Sequence, residues 1–86
     1  MTIKVIGFQC ARTQQTLLNV EEAVEDLDEQ PVIETIDSFE QIMESGAPHT
    51  PSLMIGDRVL AEGRIPSVYE ISTWIREPYY EEAETF

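Results

Sequence analysis

One cysteine, Cys10, carries the most distinctive chemistry available to this chain. A lone thiol excludes an internal disulfide, and it excludes a zinc site built on two or more thiolates. What it leaves is nucleophilic attack by a thiolate on another sulfur. Arg12 and Thr13 follow Cys10 at the start of a stretch with helical periodicity. The sulfur is therefore expected beside the first turn of a helix, where unpaired N–H groups and the positive end of the macrodipole favour negative charge. The Thr13 hydroxyl could donate a hydrogen bond to the sulfur, and Arg12 brings a positive charge. All of these push the thiol pKa below its ordinary value of about 8.5. The chain's many carboxylates act the other way, but distant ones are screened by salt. The competing reading of Cys10 is a small apolar residue that fills a loop.

Other candidates are weaker. His49 could pair with Cys10 for nucleophilic catalysis, but no third group that would orient it is identifiable, and a solvated surface histidine is the simpler reading. Phe8 either packs or shields the sulfur. Glu81, Glu82 and Glu84 lack the spacing and glycine of a calcium loop. There is no phosphate-cradling glycine loop and no Ser-His-Asp arrangement. No metal site and no cofactor is expected.

The elements that must position Cys10 are legible from periodicity. Ile3 to Gly7 reads as a strand and Phe8–Cys10 as a loop. Residues 12–27 read as a helix with Leu17, Val20, Val24 and Leu27 on one stripe, Ala23 beside it and Leu18 widening it. Pro31 follows the end of that helix, and Val32 to Ile36 is a second strand. Ser38 with Gln41 is a capping-box pattern for a short helix, whose apolar side is Phe39, Ile42 and Met43; Gly46 stops it. After a loop with two prolines, Ser52–Ile55 and Arg58–Ala61 form a hairpin around Gly56-Asp57. Gly63 marks a bend. Ser67 with Glu70 caps a last helix with Val68, Ile71, Trp74 and Ile75 on its core stripe. The order β-α-β-α-β-β-α predicts an α/β fold: a four-stranded mixed sheet flanked by three helices, with the first two strands parallel and the last two antiparallel. Residues 1–77 form the expected domain, and 78–86 an acidic, aromatic tail.

Charge narrows the partners. Five basic residues stand against seventeen acidic ones among 86, a net charge of −12. The only lysine is Lys4, and the four arginines are scattered. That excludes the clustered cations with which proteins hold nucleic acid or an anionic membrane. No apolar run approaches a membrane span, and the opening residues lack a signal-peptide pattern, so a cytoplasmic monomer is expected.

Gly7-x-x-Cys10-Ala11-x-x-Gln14, Thr50-Pro51-Ser52-Leu53-Met54-Ile55-Gly56-Asp57 and Gly63-Arg64-Ile65-Pro66-Ser67, in this order and spacing, resemble the small thioredoxin-like proteins of the redox-active disulfide protein 2 type. The resemblance covers roughly residues 3–77. It implies a thioredoxin-like fold, a nucleophilic Cys10 and a cis Thr50–Pro51 bond opposite it. The family's second active-site cysteine falls on Thr13 here, so dithiol chemistry does not carry over. Monothiol glutaredoxins are similar in having one usable cysteine at this place. By that likeness Cys10 would form a mixed disulfide with a protein or a low-molecular-weight thiol, released by a second thiol. Thr50 and Pro51 would receive the substrate chain, with Phe8, Arg12 and His49 nearby. Two further readings stand beside this one. The first is a redox-inactive thioredoxin-fold interaction module that binds through the loops around Phe8, His49 and Thr50 or through the tail. The second is an accessory role in which Cys10 receives a persulfide or a soft metal.

Overall fold

The computed structural model of the chain describes residues 1–76, and the segment expected to be an acidic tail lies outside them. The elements are β1 (Thr2–Ile6), α1 (Ala11–Val24), β2 (Val32–Ile36), α2 (Phe39–Glu44), β3 (Ser52–Ile55), β4 (Arg58–Glu62) and α3 (Val68–Arg76). They form the expected α/β architecture. The sheet order is β2-β1-β3-β4, with β1 parallel to β2 and antiparallel to β3, and β3 antiparallel to β4.

Alternation along the strands divides the core in two. Ile3 and Val5 of β1, Leu53 of β3 and Ala61 of β4 pack with Val20 and Val24 of α1 and with Ile71 and Ile75 of α3. Ile6, on the other face of β1, packs with Ile42 of α2 and Ala47, and Ile36 and Met54 flank them. Both faces of β1 are thus filled, which suits the central position of a strand with a β-branched run.

The helices begin where their caps predict. The Ser67 hydroxyl accepts from the Glu70 amide at 3.0 Å, and the Glu70 carboxylate accepts from the Ser67 amide at 3.0 Å. Arg64 clamps the same carboxylate with two bonds of 3.0 and 3.1 Å. Arg64, and after it the Ser67 amide, hold the Glu70 carboxyl below the usual range. At α2 the Ser38 hydroxyl accepts from the Gln41 amide, but it donates to the Gln41 side chain, so the box is not reciprocal. Gly46, Gly56 and Gly63 all take positive φ, at the helix stop, the hairpin turn and the bend.

Three expectations are corrected. Helix α1 ends at Val24, not near residue 27. The chain there tightens to i→i+3 bonding, with the Leu27 amide on the Val24 carbonyl, and the Gln30 amide group caps the carbonyls of Val24 and Leu27. Leu27 still packs on the core, so the apolar stripe outlasts the helix that would carry it. Leu18 of α1 is exposed and does not widen the packed stripe, and Phe39 and Met43 are exposed, Phe39 at 64%, because six residues of α2 can turn only Ile42 fully into the sheet. Trp74 is only partly buried, at the edge of the larger cluster.

The short α2 therefore hangs on one side chain. Ile42→Ala is expected to cost about 2–5 kcal/mol in denaturant unfolding, whereas Phe39→Ala changes stability by no more than about 0.5 kcal/mol.

Candidate functional site

The site is built at the end of the sheet where β1 and β2 finish, β3 starts and β4 finishes. Gly7 continues β1 with an amide bond of 2.9 Å to the Ile36 carbonyl. Cys10 then caps α1 with extended backbone (φ −154°, ψ 171°), and its carbonyl accepts the Gln14 amide at 2.9 Å. In this geometry a cap side chain stands over the first-turn amides of the helix. The cap position is filled by sulfur, where a hydroxyl or carboxylate is usual.

Cys10 is exposed, and its Sγ lies 3.5 Å from the Thr13 hydroxyl. Once the thiol ionises, that hydroxyl must be the donor. The thiol is held below its ordinary pKa. The Thr13 hydroxyl is the largest cause and the Thr13 backbone amide the next, against a small desolvation penalty; the Arg12 amide and charge add the least. Thr13 is itself seated by Gly7. A β-carbon at Gly7 would collide with the Thr13 hydroxyl oxygen and come within 3.2 Å of its methyl group. The glycine here is required by close approach, not by its dihedral angles.

The Gly63 peptide joins the two loops of the site. Its N–H donates to the Pro51 carbonyl at 2.9 Å, and its carbonyl accepts from Arg12 Nη2 at 3.2 Å. Arg12 thus ties the start of α1 to the bend after β4, and Asn19 repeats the tie two turns later by donating to the Pro66 carbonyl at 2.9 Å. The Thr50–Pro51 bond is cis. Pro51 is fully buried and Thr50 is half-buried.

Not every candidate converges on the sulfur. His49 is aligned by Glu62, with Nδ1 at 2.8 Å and the His49 amide at 3.3 Å from the same carboxylate oxygen. The His49 side chain is 78% exposed. Glu62 is held below the usual carboxylate range mainly by that contact. The Arg12 guanidinium faces Gly63 and reaches Cys10 only as a weak field. Phe8 is 47% exposed beside the site and does not pack into the core.

Sequence reasoning missed Glu62 as the partner of His49. It also missed the bond of 2.9 Å from Gln9 Nε2 to Asp37. The register explains the second: Gln9 and Asp37 each lie just past the end of one of two parallel strands paired at Ile6 and Ile36, a pairing that sequence periodicity does not give. Gly7, Gln9, Thr13, Gln14, Leu17, Thr35 and Asp37 line a cleft of about 200 Å³ beside this bond. Among the described residues no cluster of His, Cys, Asp and Glu is arranged to hold a metal, and no helix is long and apolar enough to cross a membrane.

Thr13→Val removes the hydroxyl, and Gly7→Ala displaces it. Both raise the Cys10 pKa toward that of an ordinary thiol, read from thiolate absorbance near 240 nm across pH. A lowered folded pKa stabilises the fold above the unfolded pKa of about 8.5 and loses that contribution as pH falls through the folded value. Stability relative to Thr13→Val therefore rises from neutral toward alkaline pH.

The comparisons with known proteins agree with this geometry. A thioredoxin-domain family model matches residues 1–76. The thioredoxin of Methanothermobacter thermautotrophicus is 34% identical over 71 residues, which cover 83% of this chain and 92% of that protein. The thioredoxin of Methanocaldococcus jannaschii is 35% identical over 71 residues, covering 83% and 81% respectively. No solved structure matches. With the family model spanning every described residue, and two thioredoxins matched over most of their length, the chain belongs to the thioredoxin domain family.

Proposed function

We propose that this protein is a monothiol thiol–disulfide exchange protein that works through mixed disulfides at Cys10. Family membership supports a thiol–disulfide redox role in general terms. The observation that carries the monothiol reading is the cap of α1. It holds an exposed sulfur with a hydroxyl at 3.5 Å where a dithiol protein of this type has its second cysteine.

The step balances without an added oxidant. The Cys10 thiolate attacks one sulfur of a disulfide in a protein or a small molecule. A new S–S bond forms to Sγ as the old one breaks, and the departing sulfur leaves with the electron pair and takes a proton from solvent. Thr13 stabilises the negative charge on Sγ before attack. Because Thr13 cannot attack the mixed disulfide in turn, release falls to an external thiol, which takes the partner sulfur and returns Cys10 as the thiolate. Thr50 and Pro51, tied to the Cys10 loop through Gly63 and Arg12, are the place for the substrate chain.

The redox-inactive interaction module is the second reading, favoured by the same threonine. The two part on one experiment. Incubation with a disulfide-bonded peptide is expected to add one peptide mass to the protein, removable by an added thiol, and Cys10→Ser abolishes the adduct while the circular dichroism of the fold is kept. No adduct on the folded wild-type chain would turn the assignment to the module.

A further inference from the structure

The Cys10 site has a side toward Gly63 and Pro51, and it has another toward β2. The second holds the cleft of about 200 Å³. That is below the roughly 300–1,000 Å³ of a small-molecule site and suits one side chain. Thr13 belongs to both places: its hydroxyl is 3.5 Å from the sulfur, and the residue lines the cleft. Leu17 contributes an apolar stretch of wall, and Asp37 is the charged group. The Asp37 carboxylate is held in place through Oδ2 by Gln9.

The cations around the site are directed elsewhere. Arg12 donates to the Gly63 carbonyl, and Arg64 is spent on both oxygens of Glu70. Lys4 belongs to a separate hollow, against α2. The chain as a whole carries −12. Among the described residues no cation lines this cleft to meet the carboxylates of an anionic low-molecular-weight disulfide, whereas a cationic side chain finds a wall for its stem and a fixed carboxylate for its head.

We propose that this cleft is a subsite for a lysine or arginine side chain of the partner polypeptide, so that Cys10 selects disulfides of proteins with a cationic residue close to the attacked cysteine. This rests on the exchange function proposed above and names its substrate class.

The test uses the full chain and short peptides whose single cysteine is disulfide-linked to 5-thio-2-nitrobenzoate, with Lys, Gln or Glu one or two residues to either side. Attack by Cys10 on the peptide sulfur forms the Cys10–peptide disulfide and releases the chromophore as the thiolate. At about 0.15 M salt, at least one Lys placement is expected to react about three- to fivefold faster than its Glu counterpart, the scale of a half-exposed ion pair. Asp37→Asn keeps an oxygen for Gln9 but loses the charge, and it is expected to cut that ratio at least twofold. Asp57→Asn, in the β3–β4 turn at the other end of the sheet, makes the same change in net charge and leaves the ratio as it was. Equal rates for Lys and Glu peptides overturn the subsite while the exchange function stands. Equal loss of the ratio in both variants also overturns it, since the preference would then be one of overall charge. No release from any peptide overturns the exchange function and the subsite together.

Discussion

At Gly7 the hydroxyl of Thr13 fills the space that a β-carbon would need, and the site depends on that contact. It lets the first turn of α1 come down on the end of β1, a strand locked between β2 and β3 whose Ile3, Val5 and Ile6 are fully buried. With Thr13 seated there, its hydroxyl lies 3.5 Å from the Cys10 sulfur three residues earlier. The rigid part of the fold thereby sets the electrostatics of an exposed atom. Burial contributes little to the lowered pKa of Cys10 and opposes it; hydrogen bonding to the charged form accounts for it.

A second tie makes the arrangement a site and not only a cap. The Gly63 peptide offers its N–H to Pro51 and its carbonyl to Arg12, so the loop before β3 and the start of α1 share one backbone unit. Arg12 thus acts more through position than through charge. Its guanidinium holds α1 to the bend, and its field on Cys10 is the smallest of the contributions there. The His49–Glu62 pair braces the same loop from outside.

Local chemistry was readable, and distant pairing was not. The strands at Val32–Ile36 and Ser52–Ile55, the two serine caps and the glycine turns follow from short-range pattern, and the structure has them at the positions read. The Thr13–Cys10 contact was legible for the same reason, being one helical turn apart. Gln9 with Asp37, His49 with Glu62 and Arg12 with Gly63 are separated by 28, 13 and 51 residues, and no periodicity encodes such pairs. The misjudged apolar side of α2 has a related cause. Periodicity reports which side chains share a face, but how much sheet that face meets is a tertiary quantity. At α2 only Ile42 is fully buried, so Phe39 and Met43 lie in solvent.

The central claim is that the fold activates Cys10, and the most direct measurement is the pH dependence of its alkylation by iodoacetamide, folded against unfolded in the same salt. The account predicts an apparent pKa for the folded chain clearly below that of the unfolded chain, with reaction at neutral pH faster in the folded state. A folded pKa equal to or above the unfolded one, or a sulfur that reacts only after unfolding, would contradict it.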